Sequence, residues 1–234
     1  MASNRALKGR IRSIGNTRKI TRTMELVATS KLKRAQERVI ASRPYAQALR
    51  DVIGDLASPD LASQFPLLRQ PVPPAKGGPD RAVVILITSN RGLAGGFNSN
   101  LIKEARRRIG VLESEGYRVE LMGIGRKGIG YFKYVGRTFR SERTDIGDRP
   151  TAEHAASVVD ELIKDFSEGR VGLVELVQSH FISVINAPPV TARVLPIEKP
   201  AGKGGAKPDY ILSPDPAALL ESLLPLYVKN TVYR

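Results

Sequence analysis

Residues 3–43 contain no Pro and, beyond Gly9 and Gly15, no Gly, so they read as one uninterrupted helix up to Pro44. At about 1.5 Å per residue such a helix extends roughly 60 Å, twice the width of a small domain. A seven-residue repeat runs along it. Leu7, Ile14, Thr21, Ala28 and Ala35 form one row, and Ile11, Arg18, Glu25, Leu32 and Val39 the other. Two such rows make a coiled-coil seam, here apolar at both ends and polar at Arg18, Thr21 and Glu25. Ala28 and Ala35 leave room for a close partner helix. A second stripe, Ile20, Met24 and Val27, lies on another face where the seam turns polar. The pattern predicts a helical partner at each end of the seam and a different kind of neighbour around Met24.

Charge separates the same region from the rest. Of a formal net charge of +14, residues 1–50 carry +11, from 13 Lys or Arg against Glu25 and Glu37. Lys31, Lys33, Arg34 and Arg38 concentrate it further. So dense an excess points to an acidic partner: nucleic acid, anionic lipid or an acidic protein surface. Base or strand contact wants aromatic rings among the cations, and residues 1–44 have none, which weighs against a nucleic-acid-binding protein, the rival reading. The chain has no Cys, hence no disulfide framework and no thiolate metal site. No run of 18 apolar residues is present to span a bilayer.

Past Pro44, where a kink is expected, the helical pattern resumes through Tyr45, Leu49, Val52, Ile53 and Leu56. Residues 66–79 hold five Pro and two Gly and read as a linker. The period then changes. The β-branched run 82–88 predicts a strand buried on both faces, and 99–112 a helix with Leu101, Ile102, Ala105, Ile109 and Leu112 inward. A strand at 118–123, a helix at 151–166, and strands at 172–185 and 190–197 joined by a tight turn at 186–189 complete the pattern. Strand–helix–strand alternation gives a parallel α/β core with a late antiparallel hairpin. Residues 200–208 read as an exposed loop. Pro216 opens a last helix whose apolar face is Leu219, Leu220, Leu223 and Leu224, with Pro225 inside it.

Candidate chemistry is sparse. Gly123, Gly125 and Gly128 match G-x-G-x-x-G after a strand, but a dinucleotide site also needs a full crossover helix and an acid about 20 residues on. Residues 129–135 allow barely two turns, and Asp145 and Asp148 fall in a loop, so a packed turn is expected. Gly92-Leu93-Ala94-Gly95-Gly96 lacks Gly-Lys-Ser/Thr and reads as a sharp turn rather than a phosphate cradle. His154 and His180 are the only His, without metal-ligand spacing. Ser179 and His180, adjacent on a strand, face opposite sides. Asp160, Glu161 and Asp165 read as a solvated helix face. No catalytic residue, cofactor site or metal site is expected.

Two segments carry a family resemblance. Residues 7–36 contain Arg10-Ile11, Asn16-Thr17-Arg18-Lys19-Ile20-Thr21, Met24, Val27-Ala28, Ser30-Lys31-Leu32 and Ala35-Gln36, and residues 88–98 contain Arg91-Gly92-Leu93-Ala94-Gly95-Gly96-Phe97-Asn98. Both resemble the gamma subunit of F-type ATP synthases, with Ala94 in place of the family's usual Cys and Asn90 in place of its Asp. Residues 1–24, Arg-rich and free of acids, share the composition of a mitochondrial transit peptide. The family signature begins within the first ten residues, however, and argues against a removable leader.

The resemblance implies a Rossmann-like doubly wound sheet domain plus a long N-terminal helix, which forms an antiparallel coiled-coil shaft with a short C-terminal helix. The corresponding segments are a coiled-coil helix at 1–65, a linker at 66–79, an α/β foot at 80–212 and the start of the C-terminal helix at 213–234. It further implies a rotating shaft inside a catalytic head of alpha and beta subunits, with the foot on the membrane rotor ring beside the epsilon subunit. No nucleic acid is involved, and the membrane is met only peripherally. By matching position, Met24 faces the acidic lever loop of beta with Lys19, Arg22, Lys31 and Lys33 near it, and Tyr210 lies close to the rotor ring. The place implied is the cytoplasmic face of a bacterial inner membrane or, alternatively, the matrix side of the mitochondrial one. The family's C-terminal helix is long and closes with an Ile-Thr-x-Glu…Gly-Ala motif. The present sequence stops near the start of that helix and reads as a truncated member.

Overall fold

The computed structural model describes residues 4–57, 59–183, 186–198 and 215–233. The chain forms two compact units, one ending at Tyr45 and the other beginning at Ala46. Helix α1, Asn4–Leu56, runs without interruption through Pro44 and supplies all the described structure of the first unit. Within that unit the helix is held by its own backbone bonds. Hydroxyls of Thr17, Thr21, Thr23 and Thr29 return to the carbonyls of Ser13, Thr17, Lys19 and Glu25, one turn back.

The second unit is a five-stranded sheet between two layers of helices. Strands β1 (Arg81–Ile87), β2 (Arg118–Ile124), β3 (Phe139–Arg143), β4 (Leu173–Ser179) and β5 (Pro189–Leu195) stand in the order β3-β2-β1-β4-β5. All neighbours are parallel except β4 and β5. Alternation along β1 assigns the two faces. Ala82, Val84 and Leu86 pack with Leu101, Ala105, Ile109 and Leu112 of α3 (Phe97–Ser114) and Phe132 of α4 (Arg126–Tyr134). Val83 and Ile85 share the opposite core with Val158, Val159 and Leu162 of α5 (Ala152–Ser167) and with Leu220, Leu224, Val228 and Val232 of α6 (Pro216–Tyr233). Leu49, Ile53 and Leu56, the last turns of α1, belong to that same core. Each such side chain contributes about 1.5–3 kcal/mol on full burial.

Several elements differ from expectation. β3 was not expected, because Phe-Arg-Ser-Glu-Arg carries no apolar run; it is an edge strand whose residues are at most half-buried. β4 stops at Ser179, and the turn to β5 is longer than the tight turn expected at 186–189. Pro188 and Pro189 cannot donate to a ladder, and Ser179 pairs with Pro189 at the last register position. The loop is held instead by His180 N–H on the Pro188 carbonyl at 2.9 Å and the Ser179 hydroxyl on the Ala187 carbonyl at 2.8 Å. Within 66–79, two short 3-10 turns, Pro66–Leu68 and Pro74–Lys76, appear, and Leu67 and Leu68 are buried. A two-turn helix α2, Pro59–Gln64, precedes them. The 200–208 loop and Tyr210 lie outside the described residues.

Asp165 overturns the solvated reading of its helix face. It is 7% exposed and is bound by both Arg140 and Arg170. Arg140 also reaches Glu120 at 3.2 Å and Glu161 at 2.6 Å, tying α5 to β2 and β3. Burial alone would raise the Asp165 pKa, but the two guanidinium groups outweigh it and hold the carboxyl below its usual value. Asp160 is also paired, with Lys229 of α6 at 2.9 Å. Glu175 on β4, 4% exposed, accepts a two-pronged bond from Arg108 of α3, the second contact at 2.7 Å.

Candidate functional site

The first unit leaves its apolar side chains in solvent. Ile11 and Ile14, both in the expected seam, are 70% and 68% exposed, and the stripe of Ile20, Met24 and Val27 is about half exposed. At 100° per residue, Ile20, Met24, Val27 and Lys31 fall on one side of α1. Lys19, Arg22 and Lys33 lie roughly 140–180° away from Met24. The five expected contact residues therefore form two patches, on opposite sides of one helix, rather than one cluster. Arg22 pairs with Glu25 at 2.9 Å with both side chains largely in water, a contact of order 0–1 kcal/mol. Neither patch holds the carboxylate–base or nucleophile–base pairing that general acid–base or covalent chemistry needs. What they offer is apolar area and positive charge on more than one side.

The resemblance-bearing segment at 88–98 organises the carboxyl end of the sheet in the second unit. Asn98 accepts from the Ser89 amide at 3.0 Å. Asn90 accepts from the Arg126 amide at 3.1 Å and donates to the carbonyls of Thr144 and Ile146. An Asp here could accept but not donate, so the Asn adds a clamp on the loop after β3. The intervening turn requires left-handed backbone at Leu93, φ 61°, and its side chain is 94% exposed.

The three spaced glycines are each explained by packing. A Cβ on Gly125, φ 97°, would stand 2.0 Å from the Thr88 carbonyl oxygen. On Gly123 it would meet Ile129 and Phe139, and on Gly128 Leu86 and Thr88, all under 3.0 Å. Helix α4 follows directly and is only nine residues long. Thr88 locks the crossing by accepting from the Gly128 amide at 2.9 Å. His154 also has a structural place: with Thr151 it forms the capping box that opens α5. His180 lies just past the end of β4. Among the described residues no three His, Asp or Glu are grouped to hold a metal ion.

Comparison with known proteins decides the family. The ATP synthase family profile matches residues 3–234. The ATP synthase gamma chain of Gemmatimonas aurantiaca is 53% identical over all of this chain and 80% of its own length. The chain belongs to the ATP synthase gamma chain family. The gamma chain of Leptospira biflexa is 38% identical, covering 99% of this chain and 79% of its own. In structure the chain is similar to one in the Tetrahymena thermophila mitochondrial ATP synthase central stalk and c-ring, with a TM-score of 0.64 at 18% identity over 92% of this chain and 89% of that one. At that identity the likeness is one of fold. Among the described residues, no helix is long and apolar enough to cross a membrane.

The sequence missed the ion-pair anchors of the second unit, Arg108–Glu175 and Arg140–Asp165. A signal was available for Glu175: it interrupts an otherwise apolar strand, and a charge there has to be paired.

Proposed function

We propose that this chain is the rotating central shaft of an F-type ATP synthase, coupling rotation of the membrane rotor ring to ATP synthesis or hydrolysis in the beta subunits. The observation that carries it is α1: a continuous helix whose residues 4–45 expose both apolar and basic side chains on more than one side. A helix that met one partner surface would bury one stripe and solvate the other. A helix enclosed by a ring meets neighbours all round. Met24 with Lys31 on one side, and Lys19, Arg22 and Lys33 on the other, then touch acidic lever loops of different beta subunits as the shaft turns.

The chain is non-catalytic on this reading, and the chemistry belongs to the beta subunits. Residues 1–65 serve as shaft, 66–79 as connection, 80–212 as the foot beside epsilon on the rotor ring, and 213–234 as a C-terminal helical segment of the shaft. Tyr210 contacts the ring. The bacterial relatives favour the cytoplasmic face of the inner membrane, with the chain attached peripherally. Affinity purification from its source tests the assignment. One copy should come with three alpha and three beta subunits, plus epsilon. Recovery of nucleic acid instead, lost steeply as salt rises, would overturn it.

A further inference from the structure

A cavity of about 420 Å³ opens in the second unit at the carboxyl ends of β1, β2 and β4. The position is the one where open α/β sheets hold ligands. From β1 the chain proceeds to β2 and β3 on one side, then crosses back to β4 on the other, and connections leaving in opposite directions open a crevice between β1 and β4. The size suits a small organic molecule. Most of the lining is apolar, including Phe97 and Phe181, and not one Lys, Arg, Asp or Glu is among the lining residues. An anionic ligand would lose its hydration there without gaining a counter-charge, so phosphorylated nucleotides do not fit the chemistry.

Two polar side chains that reach the lining from β4 and α5, Gln178 and His154, keep hydrogen-bonding capacity. The Thr88 hydroxyl and the Ser179 hydroxyl are committed to backbone partners. The Gln178 side chain has no hydrogen-bond partner among the described residues, and its amide presents a donor and an acceptor side by side. Nδ1 of His154 accepts from the Thr151 amide at 3.0 Å, which places the proton of the neutral ring on Nε2 as a second donor. Val232 and Tyr233, in the last turn of α6, close one wall. A ligand seated here touches both the sheet and α6.

We propose that this cavity binds an uncharged, planar heteroaromatic molecule carrying adjacent N–H and C=O groups, and that occupancy fastens the end of α6 to the sheet. The aromatic plane fills the apolar lining, the lactam edge pairs with Gln178, and a further acceptor meets His154. Because binding to the closed form disfavours opening, the amides of the last turns of α6 exchange more slowly when the cavity is filled.

Quinazolin-4-one, with its lactam edge, and isoquinoline, without one, serve as probes in protein-observed NMR titrations of the whole chain. Gln178→Leu removes the amide, and Ala187→Trp, at an exposed position on the mouth, covers the entrance. Saturable binding of quinazolin-4-one is expected, weakened about tenfold or more in Gln178→Leu, the net loss of the paired donor and acceptor bonds, with isoquinoline unaffected by that change. Ala187→Trp should abolish both, and quinazolin-4-one should slow exchange at residues 228–233. The absence of saturable binding to the parent chain overturns the proposal. So does equal affinity of the lactam for parent and Gln178→Leu, or binding that leaves exchange in α6 unchanged. If Ala187→Trp fails to retain the parent spectrum, the Gln178→Leu comparison and the exchange measurement decide.

Discussion

Residues 4–45 and the unit that begins at Ala46 solve the helix problem in different ways. In the second unit the long helices bury a stripe: Leu49, Ile53 and Leu56 at the end of α1, or Leu220, Leu224, Val228 and Val232 along α6. In the first unit the same helix α1 carries Leu7, Ile11 and Ile14 in water. Most helical stability in proteins comes from packing an apolar face, and the described residues of the first unit rely on backbone bonds, hydroxyl-to-carbonyl bonds and exposed ion pairs such as Arg22–Glu25. One stretch is therefore a self-sufficient fold, and the other is a surface whose apolar and basic groups are arranged for contact.

The contrast breaks most sharply through the buried ion pair. Arg108→Ala leaves the Glu175 carboxylate, 4% exposed, without its counter-charge, and should cost about 3–5 kcal/mol in urea unfolding of the second unit. Next comes the core itself. Ile53→Ala, at a position with no exposed surface, should cost about 2–5 kcal/mol, whereas Ile14→Ala in the same helix should change the same transition by less than about 0.5 kcal/mol. Equal effects at Ile53 and Ile14 would erase the distinction between the units.

Acid provides a smaller test. Asp145 is held down to about 2, first by its bond to Arg143, and Glu104 is held low by Arg107. Asp165 is low because two arginines outweigh its burial. A carboxyl whose folded pKa lies below its unfolded value stabilises the fold above the unfolded value, near 4, and loses that contribution as pH falls. The second unit should lose stability between about pH 4 and pH 2, followed by tyrosine fluorescence. The first unit, with only Glu25 and Glu37, should change less in helical circular dichroism. The smallest expected effect on folding is Met24→Lys. It should leave the melting of the second unit unchanged while altering coupling in ATP-driven proton pumping by the assembled enzyme.

Much of the second unit was legible because its signals are local. The run from Ala82 to Leu86 is buried on both faces and so reads as a continuous apolar strand, and the helical period over 151–166 marks α5. β3 was not legible because an edge strand needs no apolar run, and its arginines find partners distant in sequence, as Arg140 does on Glu161 and Asp165. The burial of Asp165 was hidden for the same reason. On the shaft, the resemblance grouped Lys19, Arg22, Met24, Lys31 and Lys33 by nearness in sequence. Counting residues separates them, since Met24 and Lys33 stand nine apart, or two and a half turns.

Hydrogen exchange on the chain alone and after assembly with alpha and beta subunits tests the central claim most directly. If residues 4–45 are the gripped part of a shaft, amides between 7 and 39 should be weakly protected in the isolated chain and strongly protected in the assembly, with those of β1 and β4 unchanged. Protection that stays the same at 7–39 while the foot becomes slower would contradict the account.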